Sequence, residues 1–317
     1  MSKHIPLPCP SLAQTHMQGP MINGSGKSLT EEELEQVRVE LAKMKEEYGL
    51  EEPERAFMDE VDTVWMFDGV PDYSLTNFLY LKERTKCHPK GSLANIVENL
   101  VKTWEMERSH KPDCSQHRST AGADFRFSAN GGKVFNNVEA HQVGNYNVLL
   151  NTCPRHLYDA ENTSFTDSHE KFHKAFAAFP WEVLDVFSGP PKVAFSWRHW
   201  AHFTGEYEEN RGNGELVEMF GFATATLNDK MQICDLEIYF NGEEFISVLK
   251  GLMKPEDANV GWKRDCPHLE KLKKERAAKN GKEKQAEENE HKAKKDKGSW
   301  SLNLSRSRRK SGDGVAR

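Results

Sequence analysis

Six consecutive residues, Trp197-Arg198-His199-Trp200-Ala201-His202, set two imidazoles and a guanidinium among two indoles. An imidazole titrates near neutrality and can give or take a proton. Aromatic neighbours suit a pocket for a flat or greasy small molecule. The hexapeptide belongs to a stretch, 181–240, that reads as three strand-like runs with two turns between them. Along 193–203 a period of two puts Val193, Phe195, Trp197, His199, Ala201 and Phe203 on one face. Ala194, Ser196, Arg198, Trp200 and His202 fall on the other. With the apolar set inward, His199 is the lone titratable group on a greasy wall.

The next run offers Val217, Met219, Gly221, Ala223 and Ala225 as its inward set. Small residues opposite a Trp are expected to leave space for a ligand. On the third run Asp235, Glu237 and Tyr239 alternate with Cys234, Leu236, Ile238 and Phe240. Turned inward, Glu237 or Tyr239 would orient His199 or donate to a substrate oxygen. His199 is therefore the expected general base, with His141 or Glu237 assisting. The expected lining is Trp104, Tyr146, Trp181, Phe195, Trp197, Met219 and Tyr239. Two structural alternatives stand beside this reading. A single His on an apolar strand face is often a satisfied core residue. Arg198 and His202 with Glu218 also read as a cross-strand polar set on the outer face.

Helices must position these strands. Thr30 and Glu33 form a capping box that opens a charged helix to about Tyr48. Ser92 caps a second helix, in which Leu93, Ile96, Val97, Leu100, Val101 and Trp104 fall at helical spacing. A third, NNVEAHQVGNYNVLL, is interrupted by Gly144 and carries His141. A fourth, TDSHEKFHKAFAAF, carries a Phe stripe and stops at Pro180. Helices first and hairpin-linked strands afterwards argue for α+β, with a curved antiparallel sheet packed on helices. The fourth helix contains His169-Glu170-Lys171-Phe172-His173, which matches the zinc-protease pattern H-E-x-x-H. Phe176 and Phe179 stand where further ligands are needed, so no metal is expected there.

The 317 residues are 37% hydrophobic and 29% charged, with no apolar stretch long enough to span a membrane. No secretory signal is read at the N-terminus. Six well-spaced cysteines without CxxC pairs suggest reduced thiols and a cytoplasmic protein. Residues 263–317 hold 18 basic and 9 acidic residues and almost no apolar ones, so this tail is expected to be disordered. The expected organisation is a disordered tail over 1–27, a charged helix and linker over 28–60, an α+β domain over 61–262 and a basic disordered tail over 263–317. GSGKS near the start is not a phosphate loop, because no strand precedes it.

Several blocks resemble one family. They are WMFDGVPDY with a following Asn (65–77), NLVKTWEMERSHK (99–111), FSANGG (127–132), GNYNVLL (144–150), WEVLDVFSGPP (181–191), FSWRHW (195–200) and GELVEMFG (214–221). Over about 65–252 the chain resembles the plant and fungal pathogen-related proteins, which look like members of the SnoaL-like, nuclear-transport-factor-two-like superfamily. The resemblance implies a cone: a bent antiparallel sheet around helices, with a pocket inside. Relatives include polyketide cyclases, dehydratases, isomerases, epoxide hydrolases and pure binding modules, so the resemblance speaks to fold before reaction. Many such enzymes end the last strand in an acidic residue after an aromatic pair. Here Tyr239-Phe240 is followed by Asn241.

No phosphate loop, dinucleotide fingerprint or secure metal set is present, which points to chemistry without a cofactor. The leading expectation is an enzyme of specialised metabolism that cyclises, dehydrates or isomerises an apolar polyketide- or terpenoid-like substrate, with a pericyclic step as a variant. The alternatives are a non-catalytic binder of a hydrophobic metabolite in stress or pathogen response, and an interaction module with a basic tail. The expected partner is a small apolar organic molecule, with a homodimer a further expectation. Neither a membrane nor nucleic acid is expected.

Overall fold

A computed structural model describes residues 22–23, 27–66 and 69–285. Much of the expected tail lies outside them. The described residues up to 268 form one compact unit and those from 269 a second. In the second, residues 269–285 run as a helix with ion pairs such as Lys273 to Glu270.

The first unit is built on a six-stranded sheet. Its strands are β1 Arg126–Ala129, β2 Phe135–Asn136, β3 Trp181–Ser188, β4 Lys192–Phe203, β5 Glu215–Leu227 and β6 Ile233–Phe240, in the order β2-β1-β6-β5-β4-β3. The pairs from β3 to β6 are antiparallel and joined by the short turns that the sequence marks. β1 pairs with β6 in parallel, Arg126 opposite Asp235. The long stretch of chain between β1 and β6 permits that direction, which a hairpin would not. Register shifts in β3 and at the start of β6 bend these strands.

The helices are α1 Glu31–Tyr48, α2 Ser74–Glu83, α3 Leu93–His110, α4 Asn137–Val143, α5 Asn145–Leu149, α6 Phe165–Ala175 and α7 Gly242–Leu249. Thr30 and Glu33 close the capping box of α1, and Ser92 accepts from the Asn95 amide at the start of α3. Gly144, at φ 84°, breaks the expected third helix into α4 and α5. α6 stops before Pro180, because Phe176 turns extended and bridges to Phe203.

α3 runs through the middle of the fold. Val97, Val101 and Trp104 join the main core with Phe127, Phe195 and Trp197. Its opposite side is also covered: Glu98, Lys102, Glu107 and Arg108 are buried. α2 lies on the outer face of the sheet, where Tyr80 stacks on the fully buried Trp200. Both faces of β4 are thus inside the protein.

Cys87, Cys153, Cys234 and Cys266 are free thiols. Cys114 stands in a disulfide, which departs from the expectation of thiols throughout. No helix among the described residues is long and apolar enough to cross a membrane.

Candidate functional site

His199 lies midway along β4, opposite Met219 of β5 and Trp181 of β3. Its ring stacks on Phe179 at 3.6 Å, and its Nε2 meets the Phe179 carbonyl at 2.9 Å. A carbonyl only accepts, so Nε2 carries the hydrogen and Nδ1 is left as a bare lone pair. Burial pushes the imidazole down to about 3, against the Phe179 carbonyl and with help from Lys102. The ring is therefore neutral at ordinary pH. It is deep in the molecule, and part of it stays accessible.

Other side chains in the neighbourhood of Lys102 share that combination of depth and partial access, and this region is termed the recess. Glu105 of α3 is one. Burial raises its carboxyl above the ordinary range, with Arg55 and Lys102 pulling the other way. Ser109, one turn on, reaches its Oε1 at 3.5 Å. Tyr146 is another; it stacks on Phe172 at 4.1 Å, and its hydroxyl feels Glu105. Tyr73 is a third, with the Arg55 guanidinium 3.6 Å over its ring. Lys102 links the walls. It donates to the Trp181 carbonyl at 2.6 Å, burial lowers its ammonium to about 7, and both Glu105 and His199 respond to its charge.

Of the expected site residues, Trp181 and Met219 stand opposite His199 on the neighbouring strands, and Tyr146 lies within the influence of Glu105. Trp104 packs edge-on to Phe127 at 5.2 Å in the core. Phe195 is buried and edge-on to Trp181. Trp197 occupies the space that the small residues of β5 were expected to leave. A Cβ on Gly221 would meet the Trp197 ring at 2.4 Å, so the glycine accommodates the indole and not a ligand.

Glu237 and Tyr239 are corrections. Leu236 is buried, so alternation turns Glu237 and Tyr239 outward with Asp235, on the face away from His199. His141 is placed apart from His199. Its Nε2 donates to the Pro112 carbonyl at 2.7 Å and its ring meets His117 at 5.4 Å. Burial, then Arg108, hold it down at about 4. The hollow beside Phe195, between α3 and the sheet, has only about 10 Å³, room for one water at most.

The His169 and His173 rings lie tilted at 32° with centroids 3.9 Å apart, and His110 is near enough to act on His169 electrostatically. Among the described residues no three His, Cys, Asp or Glu side chains are grouped to hold a metal ion.

Sequence reasoning missed Glu105, Lys102 and Arg55. A signal was present: Glu105 stands between Trp104 and Met106, both buried, in a helix whose apolar stripe is wide. A carboxylate so flanked faces water only if nothing covers that side, and here the segment after α1 and α2 covers it.

The fold and site together define an α+β protein whose curved sheet packs on helices, with the His199 imidazole and the Glu105 carboxyl both perturbed by burial. A "Pathogen-related protein" of Hordeum vulgare is 34% identical over 194 residues, 59% of this chain and 83% of that protein. The chain belongs to the pathogen-related protein family. No protein-family profile matches it. Solved structures with some likeness include one named as a SnoaL-like polyketide cyclase from Jannaschia sp. CCS1, at 13% identity and TM-score 0.29 over 54% of this chain and 99% of that one. A second, named as a polyketide cyclase from Acidithiobacillus ferrooxidans, gives 9% and 0.33 over 52% and 100%. A nuclear-transport-factor-two-like protein from Exiguobacterium sp. gives 11% and 0.25 over 45% and 86%. Likeness at that level bears on no reaction.

Proposed function

We propose that this protein is a cofactor-independent enzyme of specialised metabolism that uses acid–base chemistry in the recess to cyclise, dehydrate or isomerise a largely apolar molecule. One observation carries the reading. Glu105 and His199 both lie within the influence of Lys102, and burial raises the Glu105 carboxyl while it lowers the His199 imidazole. A neutral carboxyl donates a proton, and the bare Nδ1 of His199 accepts one. Lys102 sits beside both and would steady negative charge developing on a substrate oxygen. Phe179, Trp181, Tyr146 and Met219 supply apolar surface against which such a molecule would be oriented. The partner is then a small organic molecule with at least one oxygen.

A second reading is a binder without turnover. The observation in its favour is the ring clamp: His199 is stacked on Phe179 and tied to its carbonyl, and at about 3 it is a weak base.

Incubation with a small-molecule extract of the source organism, followed by mass spectrometry, tests the proposal. Wild-type protein should consume particular species, and Glu105→Gln or His199→Gln should slow that by roughly 10²–10⁴-fold while keeping the fold. Species that co-purify with all three proteins and are never transformed would establish the binder instead.

A further inference from the structure

The outer face of the sheet holds an opening that the recess chemistry does not use. Between β4, β5 and the strap Trp262–Asp265 lies a cleft of about 250 Å³. Its floor includes Arg198, Ser196 and Glu218. Arg198 is only 6% exposed. It gives Nε to Glu218 at 2.7 Å and Nη1 to Glu182 at 3.0 Å and to the Glu83 carbonyl at 3.2 Å. Its guanidinium rests 4.2 Å over the Trp200 ring. Nη2 has no partner among the described residues, and it is not one of the fully enclosed polar atoms that lack one. This leaves Nη2 facing the cleft.

The acceptors around the cleft are already used. Glu182 receives the Thr85 amide and hydroxyl, the Lys86 amide and Arg198. Glu218 gives one oxygen to Arg198 and the other to Arg264, each at 2.7 Å. Asp265 is held between Lys86 and Lys263. Asp185, exposed at the mouth, is the carboxylate without an ion-pair partner among the described residues. Donors therefore remain where acceptors are spent. Glu182 and Glu218 already balance the charge of Arg198, so Arg198 supplies direction; Lys86, which shares Asp265 with Lys263, supplies positive charge, and Asp185 is the charge at the mouth that opposes an anion. One wall is aromatic: Trp262 stacks on Phe220 at 5.2 Å and 20°, with Phe222 at 5.1 Å.

We propose that this cleft binds a flat aromatic acid, with its carboxylate on Arg198 Nη2 and Ser196 and its ring against Trp262 and Phe220. The site is independent of the recess, on the opposite face of β4.

Calorimetric titration of the full chain with 2-naphthoate tests it, with 2-naphthamide as the neutral molecule of the same shape. Saturable one-to-one binding of the acid is expected, with the amide weaker by about tenfold or more, because a charge-assisted hydrogen bond becomes a neutral one. Trp262→Leu should weaken the acid by roughly 2- to 10-fold, and Lys86→Met should weaken it while leaving the amide unchanged. His199→Gln should leave both ligands as in the wild type. Absence of binding, equal binding of acid and amide, or wild-type affinity in both variants overturns the proposal. Loss of binding in His199→Gln assigns the ligand to the recess and overturns it equally.

Discussion

On one face of β4, Arg198 stands between Glu182 and Glu218 with every carboxylate oxygen engaged; on the other, His199 keeps one bare nitrogen and shares the influence of Lys102 with the Glu105 carboxyl, whose hydrogen-bond contact is a long one to Ser109. The two regions are similarly deep, yet they resolve burial differently. On the outer face the buried groups are answered by partners, as they also are where Glu107 meets Lys111 and the Ser119 and Arg118 amides. On the inner face His199 is held neutral by burial, and the Glu105 carboxyl has no ion-pair partner among the described residues. Paired groups hold structure, because removing one strands the other in a medium that cannot solvate it. Unpaired groups that retain some access are free to exchange a proton with a guest. That difference, more than burial itself, separates scaffold from candidate chemistry.

The sharpest way to break the comparison is to remove Arg198. Arg198→Ala should cost about 3–5 kcal/mol in chemical denaturation, since two buried carboxylates lose their cation. A loss below about 1 kcal/mol would place the network with ordinary surface pairs. Gly221→Ala comes next. Its new methyl would meet the Tyr239 carbonyl at 2.2 Å as well as the Trp197 ring, and a loss of roughly 1–3 kcal/mol is expected. An unchanged melting temperature would mean that open space exists beside Trp197.

Acid titration probes the inner face. Folded His199 stays neutral down to about 3, whereas an unfolded imidazole takes up a proton below 6.5. Its contribution is therefore present above pH 6.5 and lost as pH falls from there toward 3. His199→Gln should remove one proton from the slope of stability against pH in that window, about 1.4 kcal/mol per pH unit. An identical slope in the variant would show that the ring is already charged in the fold.

The smallest effect belongs to the half-exposed pair of His202 and Glu83, at 3.0 Å. Glu83 raises the imidazole above 6.5, and His202 helps hold the carboxyl below 4.5. The pair therefore stabilises fully between about pH 4.5 and 6.5. It fades as pH rises through the histidine's folded value or falls through the carboxylate's. His202→Ala should lower stability by about 0.2–1 kcal/mol at pH 6 and by less at pH 9. Equal losses at both would remove the charge from the explanation.

What the sequence determined by itself was local. Strand alternation, the turn residues, the capping boxes of α1 and α4 and the caps of α3 and α6 are set by neighbours within a few positions, and they fixed the meander and the face on which His199 lies. Alternation also separated Arg198 from His199. Only the tertiary structure decided the rest. Whether the polar side of α3 meets water depends on segments 20 to 50 residues upstream, so Lys102 became buried and Glu105 half-buried by an arrangement that no periodicity encodes. The inward or outward turn of Glu237 depends on the register of β6 against β5 and β1, since a shift of one residue exchanges the two faces. Trp197 filling the gap over Gly221 is likewise a matter of volume in three dimensions, which residue types constrain and packing settles.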